Sequence, residues 1–142
     1  MLRVQHLLSV KGTDVWCVDA DEPVLRAIEI MADKHIGALP VMRGDELVGM
    51  ISERDYARKV VLMGRSSAET AVWEVMTAPV ITVTRDQTVN DCMQMVTDRR
   101  IRHLPVVEKN RLVGMVSIGD LVRAVIEEQQ QTIDHLEKFI TG

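Results

Sequence analysis

Two short motifs in this chain have residue types and spacing suited to chemistry, Ser52-Glu53-Arg54-Asp55 and Ser117-Ile118-Gly119-Asp120. Each follows an apolar run, at residues 47–51 and 112–116, and each precedes a helical pattern. A strand turning directly into a helix leaves backbone N–H groups unpaired at the positive end of the helix dipole, which suits an anion. The serine hydroxyl adds a donor. An ionised aspartate accepts only, and one turn into the helix it can take both hydroxyls of a ribose. The same spacing is also a capping box, with Asp in place of the commoner Glu. Spacing alone leaves both roles open, and they are compatible. Gly37, Gly49 and Gly114 allow close backbone approach. Ile36, Met50, Ile101 and Met115 are apolar residues able to sandwich a flat ring.

The two motifs differ in their surroundings. Arg54 and Lys59 after the first become Gly119 and Ala124 after the second. Arg54 and Arg58 are four apart, so on a helix they share a face and can fork a phosphate. The alternative is a solvated face paired with Glu53 or Asp55. The second half instead offers Arg99, Arg100, Arg102 and His103 beside its middle strand.

The elements that must position these motifs follow from an internal repeat. Residues 15–56 align with residues 80–121 at an offset of 65 without a gap, and 15 of the 42 pairs are identical. In each copy a short β-rich run comes first, at residues 15–18 and 80–83. An amphipathic helix follows, on Val24, Ala27, Ile28, Met31 and Ala32, or on Val89, Cys92, Met93, Val96 and Thr97. Strands are predicted at residues 38–41 and 47–51, and at 104–107 and 112–116, each pair joined by a polar turn. A second helix starts after Ser52 and after Ser117. The unit is β-α-β-β-α. Residues 72–76 match residues 4–8 at an offset of 68, so a similar leading segment precedes each copy. The expected organisation is repeat one at 1–64, a linker at 65–70, repeat two at 71–126 and a helical extension at 127–142.

Composition narrows the function classes. With 17 Lys+Arg against 21 Asp+Glu, the net charge of −4 is a poor match for a phosphate-backbone binder. Four aromatics do not make a base-stacking platform. No nucleic-acid partner is expected. No run approaches the length of a membrane span, and no signal-peptide pattern is read at the start, so the expectation is a cytoplasmic protein with no membrane partner. Cys17 and Cys92 do not form a disulfide framework, and the four histidines lack metal-ligand spacing. No nucleophile–base pairing or P-loop is present, so no enzyme is expected. The methionines read as adaptable core residues, and Trp16 and Trp73, at the repeat starts, as packing residues.

Two β-α-β-β-α units, each with an h-x-x-L-P-V strand (Ile36 to Val41; Ile101 to Val106) and a G-h-h-S-x-x-D turn (Gly49 to Asp55; Gly114 to Asp120), resemble a stand-alone tandem pair of CBS domains. The resemblance covers the chain from about Val4 to Ile126. It implies an α+β fold in which two repeats pack as a pseudo-twofold pair, a Bateman module, with clefts between them. It further implies a non-catalytic sensor of energy or redox state that binds AMP, ADP, ATP, NAD or S-adenosylmethionine and needs no metal. Pairs of this family often assemble into dimers. Carried over position by position, Ser52, Asp55, Ser117 and Asp120 become the principal polar contacts. Ile36, Gly37, Met50, Ile101, Met115, Trp16 and Ile81 become wall residues. The resemblance also brings the strand bearing Arg102 and His103 to the Asp55 cleft. With Arg54, Arg58 and Lys59 there too, that cleft is expected to prefer the larger or more phosphorylated ligand. The rival reading is a ligand-free interaction module whose Ser-x-x-Asp turns are only caps.

From Leu121 the chain continues as a helix with Val122, Val125, Ile126, Gln129, Ile133, Leu136 and Ile140 on one stripe, close to a coiled-coil seam. It reads as a homodimerisation or partner arm, the alternative being a helix folded back over its own module. With no effector domain evident, the expectation is output through a regulated partner protein, or a protein that acts only as a binder.

Overall fold

The computed structural model describes residues 1–141. Its elements are α1 (Val4–Lys11), β1 (Val18–Asp19), α2 (Val24–Lys34), β2 (Ala38–Arg43), β3 (Glu46–Ser52) and α3 (Glu53–Tyr56), which widens into a π-helical turn over Ala57–Val61. A single 3-10 turn follows at Val72–Glu74. Then come α4 (Val89–Arg99), β4 (His103–Glu108), β5 (Arg111–Ser117) and α5 (Ile118–Thr141).

Contacts divide the chain into two compact units. The first holds residues Met1–Thr13, Val83–Val106 and Gly114 onward. The second holds Asp14–Thr82 and the hairpin tip Val107–Val113. In the second unit β1 runs parallel to β2, pairing Val18 with Val41, and β2 pairs antiparallel with β3. Val24, Ala27 and Met31 of α2 face a core with Leu39, Val41 and Ile51, as the helical spacing predicts. Ala32 departs from that expectation and is exposed. In the first unit Val89, Cys92 and Val96 of α4 are buried, as are Leu104, Val106 and Val116. Thr97 is exposed; its hydroxyl donates to the Met93 carbonyl one turn back (2.7 Å).

The first strand of each repeat is shorter than predicted. Residues 15–17 form no ladder, and residues 80–83 reduce to one parallel bridge between Val83 and Val106. A β-rich run becomes strand only where a neighbouring backbone is in register, and here the partner strand meets only the end of each run. Trp16, left outside the ladder, is half exposed rather than packed, and the Lys34 ammonium sits 4.1 Å above its ring.

The contact units do not coincide with the sequence repeats, because the leading segments are exchanged. In the first unit, residues 2–8 dock on repeat two. Val89 N–H donates to the Leu2 carbonyl (2.9 Å), Val4 N–H to Gln87 (2.9 Å) and Gln5 N–H to Arg85 (3.0 Å). In the second unit, residues 70–76 dock on repeat one through the matching bonds. Val24 N–H donates to Thr70 (2.8 Å), Val72 N–H to Glu22 (2.9 Å) and Trp73 N–H to Ala20 (3.0 Å). Among them, the Val89 and Val24 bonds satisfy one orphan N–H at the start of α4 and one at the start of α2. The exchange extends to side chains. A Cβ on Gly114 would lie 2.7 Å from Leu8 Cδ2, and one on Gly49 would run into Met76 Sδ. A side chain at either strand position requires Leu8 or Met76 to shift.

α2 and α4 end at corresponding residues, His35 (φ 56°) and Arg100 (φ 53°), both left-handed. A Cβ there costs roughly 1–2 kcal/mol, partly offset by the chain entropy glycine would lose. His35→Gly and Arg100→Gly are each expected to stabilise the fold by about 0.5–1 kcal/mol, measured by urea unfolding. A loss of stability would show that the histidine or arginine side chain makes a compensating contact.

Candidate functional site

Both Ser-x-x-Asp motifs form capping boxes at the start of a helix that follows its strand without a loop. At the first, Asp55 N–H donates to Ser52 Oγ (3.1 Å), and the Ser52 amide and hydroxyl each donate to Asp55 Oδ2 (3.0 Å). At the second, Asp120 N–H donates to Ser117 Oγ (3.2 Å) and Ser117 N–H to Asp120 Oδ2 (2.8 Å). The middle strand touches each turn in the same way. Glu53 N–H donates to the Gly37 carbonyl (3.0 Å), and Ile118 N–H to that of Arg102 (2.8 Å). Ile36 and Met50 thus lie beside the first turn and Ile101 and Met115 beside the second, all partly buried.

Neither carboxylate serves only as a cap. Asp55, 8% exposed, also accepts at Oδ1 from Lys59 Nζ (3.0 Å) and Thr77 Oγ1 (3.1 Å). Lys59 Nζ donates as well to the Val75 carbonyl (3.0 Å). Asp120 accepts from Lys11 Nζ at Oδ2 (2.5 Å) and from Arg123 at Oδ1 (2.8 Å), and Lys11 Nζ donates also to the Met115 carbonyl (2.8 Å). The two turns thus share one arrangement, a lysine ammonium bridging the aspartate and a main-chain carbonyl. At Asp55 the lysine comes from the next helical turn, and at Asp120 from the end of α1, 109 residues away. Lys11 and Thr77 lie far from their aspartates in sequence, and the sequence reading missed both. The offset-68 match covers residues 4–8 and 72–76 and stops short of both.

Burial works against ionisation of Asp120. The Lys11 ammonium and the Ser117 donors outweigh it and hold the carboxyl below its usual range. Burial, reinforced by the positive charges of Lys11 and Arg102 and opposed by Asp120, lowers the His103 pKa, so its imidazole is favoured neutral. A histidine whose folded pKa is depressed binds protons more readily when unfolded. Its contribution is complete above about pH 6.5 and is lost as the pH falls through and below that value. His103→Gln is expected to flatten the stability loss between about pH 6.5 and 5, read from urea midpoints at both ends. An unchanged slope would assign the acid sensitivity to another group.

The remaining residues are placed as follows. Arg102 is exposed beside the Asp120 turn, and His103 is half-buried near it. Arg54 and Arg58 are exposed, and neither pairs with Glu53 or Asp55. Arg54 sits in α3 and Arg58 in the π-helical turn that follows it. Trp16 is half-exposed and Ile81 half-buried. Burial raises the thiol pKa of Cys17, and burial with the nearby Asp91 charge pushes Cys92 up to about 11, so both favour the unreactive thiol. An open concavity of about 700 Å³ in the second unit is lined by Arg43, Leu47, Val80, Val107, Lys109 and Arg111, among others, and by neither serine nor aspartate of the two motifs.

Known proteins resemble this chain in sequence and fold. The CBS domain family profile matches residues 9–62 and 72–127. A mitochondrial CBS domain-containing protein of Arabidopsis thaliana, CBSX3, is 43% identical over 139 residues, covering 94% of this chain and 67% of its own length. A crystal structure of a CBS domain superposes with a TM-score of 0.85 at 43% identity, covering 89% of this chain and 99% of that one. A protein with CBS domains from Burkholderia ambifaria gives 0.83 at 47% identity, covering 89% and 94%. The chain belongs to the CBS-domain family, as a tandem pair of the regulatory kind with a C-terminal helix.

Proposed function

We propose that this protein is a non-catalytic sensor binding an adenine-containing nucleotide (AMP, ADP, ATP or NAD) at its two Ser-x-x-Asp turns. The observation that carries this reading is the duplication of one polar arrangement. Each turn presents a largely buried aspartate flanked by hydroxyl and ammonium donors, with two partly buried apolar side chains beside it. A capping role alone needs neither the extra donors nor the apolar neighbours. Asp55 and Asp120 take the ribose hydroxyls. Ile36 and Met50, and Ile101 and Met115, flank the base, with Trp16 and Ile81 as outer wall residues. Arg54 and Arg58 are free for the phosphates of a ligand at Asp55. Arg102 and His103 contribute to ligand choice.

Thermal shift with AMP, ADP, ATP, NAD and NADH tests the reading. A ligand at 100 times its Kd adds about 2.7 kcal/mol to the folded state. Mass analysis of small molecules that copurify would name the ligand. No shift with any of them, and no copurifying nucleotide, would overturn the proposal.

The same reading makes the protein a homodimer held by α5. Residues 127–141 are exposed along their whole length, including Ile133, Leu136 and Ile140, so this segment does not fold back on its own unit. With Ile126, Ile133 and Ile140 at one heptad position and Val122, Gln129 and Leu136 at the other, the stripe has the heptad spacing of a helix–helix seam. Truncation after Glu127 is expected to convert dimer to monomer in sedimentation. A dimer that persists would place the main contact elsewhere.

A further inference from the structure

We infer that Lys59 and Lys11 are plugs: their ammonium groups occupy the acceptor positions a ribose would use, and nucleotide enters by displacing them. The inference rests on the nucleotide reading above and concerns what sets the affinity of the same two turns. An ionised carboxylate offers about four lone-pair positions. Asp55 fills them with the Ser52 amide and hydroxyl on Oδ2 and with Lys59 and Thr77 on Oδ1. A hydroxyl donating to Asp55 must therefore replace one of these donors. The Ser52 groups belong to the helix cap, and Thr77 is held by paired backbone bonds to Met50. Lys59 alone has a flexible stem, with its side chain 44% exposed, so water can receive its charge as it leaves. At Asp120, Arg123 leaves one position on Oδ1 open, whereas Oδ2 holds the Ser117 amide and Lys11, so a ribose that donates one hydroxyl to each oxygen replaces Lys11, whose side chain is 35% exposed and stands at the last residue of α1 before Gly12. Displacing it also breaks its bond to the Met115 carbonyl and frees the end of that helix. Binding at Asp55 is thus a local side-chain exchange, whereas binding at Asp120 loosens α1.

The alternative role for these lysines is to hold the ligand's phosphate, and the two roles predict opposite signs. The probes are adenosine, which has no phosphate, and AMP, titrated calorimetrically into the full chain and into Lys59→Met and Lys11→Met. A plug predicts that each substitution strengthens both adenosine and AMP at one site by about fivefold. Thr77→Ala removes a donor from Asp55 without changing charge and should also strengthen binding there, which keeps the test open if Lys59→Met folds poorly. Hydrogen exchange should show α1 amides less protected when AMP is bound to the wild type. Weaker AMP binding with adenosine unchanged would make the lysines phosphate ligands and overturn the inference. Unchanged affinity for both probes would overturn it as well. Failure of every chain to bind either probe would overturn the nucleotide reading itself, a result distinct from binding that the lysines do not affect.

Discussion

Deleting residues 1–11 is expected to destabilise repeat two and to leave repeat one largely intact. Sequence order suggests the reverse, since the deleted residues precede repeat one. The leading segment, however, is built into the unit of repeat two. Val4 and Leu8 are 0% and 2% exposed there, and burying a Val or Leu side chain contributes about 1.5–3 kcal/mol each. The deletion also uncovers Gly114, leaves Val89 N–H without the Leu2 carbonyl, and takes Lys11 from Asp120. A loss of roughly 4–7 kcal/mol is comparable with the whole stability of a small domain. Hydrogen exchange resolves the effect by segment. Protection should fall across α4, β4 and β5 and persist across α2, β2 and β3. Loss confined to α2–β3 would contradict the exchange of leading segments.

Asp55→Ala should have the second-largest effect, on two separable quantities. It removes the acceptor for four donors, among them the part-buried Ser52 amide and hydroxyl. Loss of a helix cap costs about 0.5–2 kcal/mol, and each buried donor left unpaired about 1–3. A net loss near 2–3 kcal/mol is expected in urea unfolding, because Lys59 can turn to water. Nucleotide affinity at that turn should fall by at least about tenfold, the equivalent of roughly 1.4 kcal/mol, while the Asp120 turn keeps its own. Asp55→Asn is the control, since it keeps the shape of the cap but can no longer attract Lys59 as an anion. Lower stability in Asp55→Ala with nucleotide binding intact would reduce the motif to a cap and remove the central support for the sensor reading.

Much of this arrangement is legible in the sequence. The offset of 65 placed both Ser-x-x-Asp turns at strand ends, where capping boxes are found. The spacing of Val24, Ala27 and Met31, and of Val89, Cys92 and Val96, picked out the buried faces of α2 and α4. Periodicity reports these features because they depend on residues within a turn or two of each other. The same method overextended the first strands. It read the β-forming character of residues 15–18 and 80–83 correctly, but ladder length depends on a partner lying elsewhere in the chain. Trp16 was misjudged for the same reason.

Residue pattern alone specifies the repeat, the helices and strands, the capping boxes and the membership of a regulatory family. Which repeat each leading segment completes, and which cation neutralises each aspartate, depends on long-range packing. Residues 4–8 and 72–76 are similar apolar segments, and the grooves that receive them are similar too, each built over a glycine at the same strand position. A pattern of side chains states what must be buried, and it does not state against what. That is settled by which long-range pairing closes with every N–H satisfied, and this pairing places Lys11 on Asp120 and Thr77 on Asp55.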